Sequence, residues 1–515
     1  MTDPSPPSAA PPPLAWPAIA VLAAAHFLVH VLTNGNYGMF RDEFYYLACT
    51  DHLAWGYVDH PPFSIAALAL WRALFGDSVG AIRVLPALLG VAQIALTALI
   101  ARELGGRRMA QTLAALAAAV APTWLAITGF YSMNAFEPVV WTGALLVFAR
   151  ILRGGDPRLW LALGVILGVG LLNKISVLVL GMGIAVGVII SPARYQLRLV
   201  HPWVGAAIAL VLFVPHVVWQ IANDWPTREF IANAQRYKIA AMSPAAFFGE
   251  QILMIHPVSL PLWLSGLWFL MYTRRMKIFR PLGVVYLVAF ALFVMQRSKP
   301  YYLTAAYAPL LAAGACAAEA VARRRLGRWL TVAYGVTLAA GGAMIAPLAV
   351  PILPVDALIR HQARIGIGPQ PEENNVVGEL PQFYADRFGW EEMTAEVARV
   401  YHALAPEERE RCAIVCGNYG EAGAITYYGR KLGLPPAVSQ HNSYYLWGPG
   451  EGPIDVVIAV GIGEDDLRNV FASVEAAGHV ETRYSMPYES NLTVWIARGL
   501  TVPFDEAWRS GKHYI

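Results

Sequence analysis

The sequence predicts a mostly α-helical, polytopic membrane protein followed by a soluble α/β domain. Three observations carry this. Hydrophobic residues make up 57% of the chain and charged residues only 14%, with a mean hydropathy of +0.47, a balance suited to a surface that meets lipid. Eleven apolar runs are long enough, or nearly long enough, to cross a bilayer. Beyond about Val355 the composition becomes that of an ordinary soluble domain, and strand-like and helix-like stretches alternate.

Residues 1–14 are rich in Pro, Ser and Ala and contain no basic residue. They lack the positive start of a signal peptide, so they read as a disordered cytoplasmic tail with the first apolar run kept as an anchor. The runs lie at about 15–33, 81–101, 109–128, 136–152, 159–173, 175–191, 203–222, 257–273, 281–296, 303–321 and 329–351, giving a membrane module over residues 15–352.

Charge supports this count. Alternate loops carry tight basic clusters, such as Arg102, Arg107 and Arg108, then Arg150, Arg153 and Arg158, and later Arg323, Arg324, Arg325 and Arg328. Short basic loops mark the cytoplasmic side. The amino terminus is therefore expected in the cytoplasm of a cell (inner) membrane protein. The loop 34–80, the turn Tyr131–Glu137, the loop 223–256, the turn 296–302 and the domain 355–515 are expected outside. The net charge of +3 is small and dispersed, which argues against nucleic acid as a partner.

In the last region CAIVCGN and DVVIAVG read as strands, EAGAITYYGRKLG and DDLRNVFASVEAAG as helices, and TVWIARG closes the pattern. Cys412 and Cys416 fall four residues apart in the first strand, roughly 13 Å, beyond the ~7 Å reach of a disulfide. They read as free thiols. The turn Gly417-Asn418-Tyr419-Gly420-Glu421 after that strand can present polar groups to a ligand, with no phosphate-binding loop present.

The stretch Met39–Phe63, MFRDEFYYLACTDHLAWGYVDHPPF, gathers carboxylates, histidines and aromatic residues between two apolar runs. Asp42 and Glu43 fall a few residues past the first run, where carboxylates are costly unless solvated, paired or used; Tyr45, Tyr46 and Trp55 alternatively serve as interfacial anchors. Pro61-Pro62 breaks any helix before it, holds Asp59 and His60 in a turn, and starts a helix at SIAALALWRALFG that can lie on the membrane surface. Glu137-Pro138 opens a run, where Glu137 either faces a polar cavity or answers the helix dipole. Lys174, Arg228, Arg236, Arg297 and Lys299 are cations on the expected outer side, suited to a lipid phosphate or to headgroup snorkelling.

The ordered set DEFYYLA, YVDHPPF, the Glu-Pro turn, LLNK and SKPYYL resembles the integral-membrane glycosyltransferases that use polyprenyl-phosphate sugars. These include the protein O-mannosyltransferases and the lipid A aminoarabinose transferases. The resemblance covers residues 15–350 and implies the GT-C fold, with inverting transfer from a lipid-phosphate donor at the outer membrane face. The acceptor is a hydroxyl or phosphate on a protein, lipid or cell-envelope glycan. It places the catalytic aspartate at Asp42 beside Glu43, and the second acidic position at Glu137, where Asp-Pro is expected. Asp59-His60 stands where lipid A transferases carry Glu-Lys. On this reading Asp42 is the general base, Glu137 its helper or alternative, and Lys299, Arg297 and His60 balance the departing phosphate. Tyr45, Lys174, Tyr301, Tyr302, Asp59 and Arg228 complete the substrate site. The carboxylates are compatible with a divalent metal, though no ligand spacing demands one. A lipid-linked sugar transporter or flippase and an inactive scaffold are the rival readings. The soluble domain resembles the extra domain of bacterial members, as an acceptor-binding domain or a structural cap.

Overall fold

The computed structural model describes residues 10–239, 242–371, 373–450 and 454–515. It divides into two compact units. One comprises Met1–Asn34, Gly80–Val218 and Ala241–Pro354, and the other Gly35–Val79, Trp219–Ala240 and Val355–Ile515.

The first unit is helical, and every predicted apolar run within the chain falls on helix. Among the described residues six helices are long and apolar enough to cross a membrane: Trp16–Thr33, Val79–Glu103, Met133–Leu152, His201–Ala222, Arg274–Met295 and Arg325–Ala349. The number rises to nine if three bent helix pairs each count as one span. The chain is thus a multi-pass membrane protein, and the expected eleven spans exceed what length and composition support. The two that fall short are 109–128 and 159–173. The first is split into Arg108–Ala119 and Pro122–Ile127, because Pro122 cannot continue the preceding helix; the second is only 15 residues long. Pro192 and Pro257 likewise sit where two of the bent pairs break.

Small residues set the packing of this unit. Ala110, Ala114, Ala115, Ala117 and Ala118 are buried in its core. A side chain at Gly266 would collide with the Leu310 carbonyl, and one at Gly314 with that of Leu262. Leu260–Tyr272 and Ala308–Val321 therefore approach backbone to backbone, the close contact that small residues allow between membrane helices.

The second unit is built on a five-stranded sheet of β1 (Cys412–Cys416), β2 (Val438–Ser439), β3 (Val456–Val460), β4 (Phe471–Glu481) and β5 (Asn491–Leu500), in the order β2-β1-β3-β5-β4. β1 is parallel to β2 and β3, with Ile414 opposite Ile458, while β5 runs antiparallel to β3 and β4. The all-buried VVIAV of β3 suits a strand covered on both faces. The predicted strands CAIVC and VVIAV and the helix Tyr419–Gly429 are observed. The helix expected over DDLRNVFASVEAAG is corrected. Only Glu464–Arg468 is helical, and Phe471–Glu481 is the edge strand β4. Pairing along β5 overrides the helix-favouring Glu475-Ala476-Ala477. The four cysteines are free.

Candidate functional site

In the second unit the polar stretch of the first loop forms the helix Arg41–Asp51. Glu43 starts it: its carboxylate accepts the Phe40 N–H at 2.8 Å, and its own N–H donates to the Phe40 carbonyl. This satisfies a donor that the helix end leaves open, and two acids in the first turn answer the helix dipole. Glu43, singled out beside Asp42, is fully buried in that capping role.

Helical periodicity then divides the side chains. Asp42, Tyr45 and Cys49 project to one side, and Phe44, Leu47, Ala48 and Asp51 to the other. Asp42 is half-buried and accepts a 2.9 Å hydrogen bond from the Tyr419 hydroxyl. The Tyr419 ring lies 4.8 Å from the Arg41 guanidinium carbon and stacks on Tyr45 at 4.7 Å. Burial raises the Asp42 carboxyl above its ordinary range; Arg41, the Tyr419 hydrogen bond and Lys238 oppose this, and Asp59 adds to it.

Tyr419 is fixed in turn. Asn418 caps the Tyr419–Gly429 helix by accepting the N–H groups of Gly420 and Glu421, so Tyr419 is its first residue. Its ring also meets His441 at 4.7 Å. Arg41 donates to the Tyr488 hydroxyl at 2.8 Å. Burial and repulsion from Asp42, Glu489 and Glu373, opposed by Arg41, push Asp386 up to about 7.

Asp59 and His60 stand beside this cluster. The Tyr45 hydroxyl lies 2.8 Å from Asp59 and 2.7 Å from Ser443. His60 is fully buried, with Nδ1 donating to the Pro61 carbonyl at 3.0 Å, Tyr46 stacked on its ring at 4.9 Å and Nε2 3.9 Å from Asp59. The helix predicted after Pro61-Pro62 is Phe63–Phe75. Arg228 and Arg236 are exposed in this unit.

The first unit holds the other predicted residues. Glu137 and Lys174 form a buried ion pair at 2.6 Å. Lys174 also donates to Asn134 at 2.9 Å, and Ser176 donates to Glu137. The Lys174 ammonium sits 3.8 Å from the Tyr302 ring centre and 5.3 Å from that of Tyr301, a cation–π cage. The structure thus brings together Glu137, Lys174, Tyr301 and Tyr302 from three motifs. Arg297 is exposed with φ of +51°, and Lys299 is half-buried. Among the described residues no group of three or more His, Cys, Asp or Glu side chains is placed to hold a metal ion.

Sequence reasoning missed Tyr419 as the partner of Asp42, and Ser443 as that of Tyr45. The Gly417–Glu421 turn was the available signal for the first; nothing singled out Ser443.

Residues 59–219 match the family model described as dolichyl-phosphate-mannose-protein mannosyltransferase. No curated protein sequence matches the chain. Three solved structures are similar across most of its length. ArnT from Cupriavidus metallidurans bound to undecaprenyl phosphate is 17% identical, with a TM-score of 0.59 over 93% of this chain and 97% of that one. The archaeal oligosaccharyltransferase AglB from Archaeoglobus fulgidus, in complex with an inhibitory peptide and a dolichol-phosphate, is 13% identical, with a TM-score of 0.50 over 87% and 69%. The arabinofuranosyltransferase AftD from Mycobacteria is 16% identical, with a TM-score of 0.53 over 93% and 40%. The chain therefore has the GT-C fold of the membrane glycosyltransferases that use polyprenyl phosphates, the group its motifs resemble.

Proposed function

We propose that this protein transfers a sugar, with inversion, from a polyprenyl-phosphate donor to an acceptor hydroxyl or phosphate at the outer face of the cell membrane. The acceptor belongs to a protein, a lipid or a cell-envelope glycan. The observation that supports this most is Asp42, a half-buried carboxylate held by the hydroxyl of Tyr419, whose ring lies against the Arg41 guanidinium. In the reaction an acceptor oxygen attacks the anomeric carbon as its proton passes to Asp42. The bond from that carbon to the phosphate oxygen breaks, and the lipid phosphate leaves with the electron pair. A phosphate is already a good leaving group, so the protein's main task is a positioned base.

A base must be ionised before it acts. Burial makes Asp42 hold its proton more tightly, and Arg41 with the Tyr419 hydrogen bond works against that. In the other unit we assign Lys174, with Lys299 and Arg297, to the phosphate charge of the donor lipid, and Glu137 to holding Lys174. The transporter reading has less support, because the similar folds are those of glycosyltransferases.

Asp42→Asn, assayed in membranes for transfer from a polyprenyl-phosphate sugar, is expected to lose at least about a hundredfold in rate, the lower range for a positioned base. Near-normal turnover would overturn the assignment.

A further inference from the structure

We propose that the second unit carries a two-chambered saccharide-binding cleft, one chamber behind the Arg41–Asp51 helix from Asp42 and the other beside the Asp42 cluster. Its occupant is a neutral disaccharide segment of a glycan acceptor. That the occupant is an acceptor rests on the glycosyl-transfer reading above; the cleft itself does not.

The first chamber is a cavity of about 300 Å³, at the lower end of small-ligand sites. Its walls include the rings of Phe44, Tyr427, Tyr444 and Trp447. Four charged residues, Arg72, Arg430, Asp51 and Asp77, also line it. Each arginine reaches both aspartates: Arg72 at 2.5 and 3.4 Å, and Arg430 at 3.5 and 3.4 Å.

This chemistry selects among ligands. The charges balance in pairs, so no surplus cation remains to hold a phosphate or carboxylate. An acyl chain gains nothing from a rim of four charges and would desolvate them. A neutral ring bearing hydroxyls fits both features, with its C–H faces against aromatic walls and its hydroxyls donating to Asp and accepting from Arg. A second, independent observation points the same way. Tyr444 is 5% exposed, and its hydroxyl is buried without a hydrogen-bond partner among the described residues. A polar group so placed is costly unless a ligand or water satisfies it.

The second chamber, also about 300 Å³, shares His52 and Trp447 with the first. These two rings stack at 4.3 Å with their planes 11° apart, forming the partition. Tyr57 and Ser443 line the second chamber, and Ser443 is the residue that touches Tyr45 beside Asp59. One chamber therefore borders the Asp42 cluster and the other lies behind the helix, whose diameter is about 10 Å. Consecutive sugar units can occupy the two.

The test uses the full-length protein in lipid nanodiscs and saturation-transfer NMR with mannobiose, cellobiose and arabinobiose as probes, and inorganic phosphate and octanoate as comparisons. At least one disaccharide is expected to bind, and the two comparison compounds are not. Ala48→Phe fills the first chamber from the helix and is expected to weaken binding at least tenfold. Arg430→Gln, at a half-exposed position, should also weaken it and keeps the test decisive if Ala48→Phe does not fold. Asp42→Asn should bind the disaccharide as the unaltered protein does while losing transfer. Binding of none of the three sugars, preferential binding of phosphate or octanoate, or unchanged affinity in the folded chamber variants would overturn the cleft. Transfer retained by Asp42→Asn, with disaccharide binding intact, would instead remove the catalytic reading and leave the cleft standing.

Discussion

Tyr419→Phe isolates a single hydrogen bond at the proposed base. It removes the hydroxyl that donates to Asp42 at 2.9 Å and keeps the ring that contacts Arg41, Tyr45 and His441. A hydrogen bond to a charged group contributes roughly 1.5–3 kcal/mol. Asp42 is half-buried, so water replaces part of the loss and about 1.4 kcal/mol remains, a factor of about ten. The sign follows from which state the bond favours. Tyr419 stabilises the carboxylate, and without it Asp42 holds its proton to higher pH. The acid limb of the pH–rate profile should then move up by about one pH unit, with roughly tenfold slower transfer on that limb and a smaller effect on the plateau. The assay is initial-rate transfer from a polyprenyl-phosphate sugar between pH 4.5 and 9, with thermal unfolding of both proteins as a check. An unmoved acid limb in a normally folded variant would refute the reasoning.

Other substitutions test neighbouring assignments. Glu43→Gln keeps an oxygen for the Phe40 N–H and should retain most transfer activity, whereas Glu43→Ala should lower stability by about 1 kcal/mol through loss of the cap. Glu137→Gln leaves the Lys174 ammonium buried without its counter-charge and should cost about 3–5 kcal/mol. Glu137→Gln with Lys174→Met should recover most of that stability, measured by thermal unfolding in detergent, without recovering transfer. Asp386 ionises in the folded protein near pH 7, well above an ordinary carboxyl. Its proton is held more tightly when folded, so it adds stability at acid pH that is lost as pH rises through about 7. Asp386→Asn should flatten the fall in thermal midpoint between about pH 4 and 7.

What the sequence disclosed follows the range of the interactions. The apolar runs, the strands CAIVC and VVIAV, and the helix start after Pro61-Pro62 depend on local pattern and were legible. Glu137, Lys174, Tyr301 and Tyr302 could be singled out as motifs, and the structure joins them. The strand Phe471–Glu481 was misread because its helix-favouring composition yields to pairing with β5. Nine of the eleven expected spans correspond to helices or bent pairs long and apolar enough to cross a membrane, and hydropathy does not register that Pro122 breaks the helix in one of the other two. Glu43 stands beside Asp42 in sequence, and its capping of Phe40 becomes visible only once the helix start is in place. Tyr419 and Ser443 were not legible as partners, since they meet the first loop across 377 and 398 residues of chain, a separation that no local pattern encodes.

That separation also sets an order of events during synthesis. Tyr419, His441 and Ser443 leave the ribosome long after the Arg41–Asp51 helix, and contacts so distant in sequence close late because the intervening chain must first be ordered. Until they form, the nascent protein has its apolar segments and its aspartate but lacks the hydroxyl that holds that aspartate. On the proposed reading, a chain still lacking that hydroxyl would be slowed rather than silent, and would reach its full rate only once the sheet of the second unit is complete.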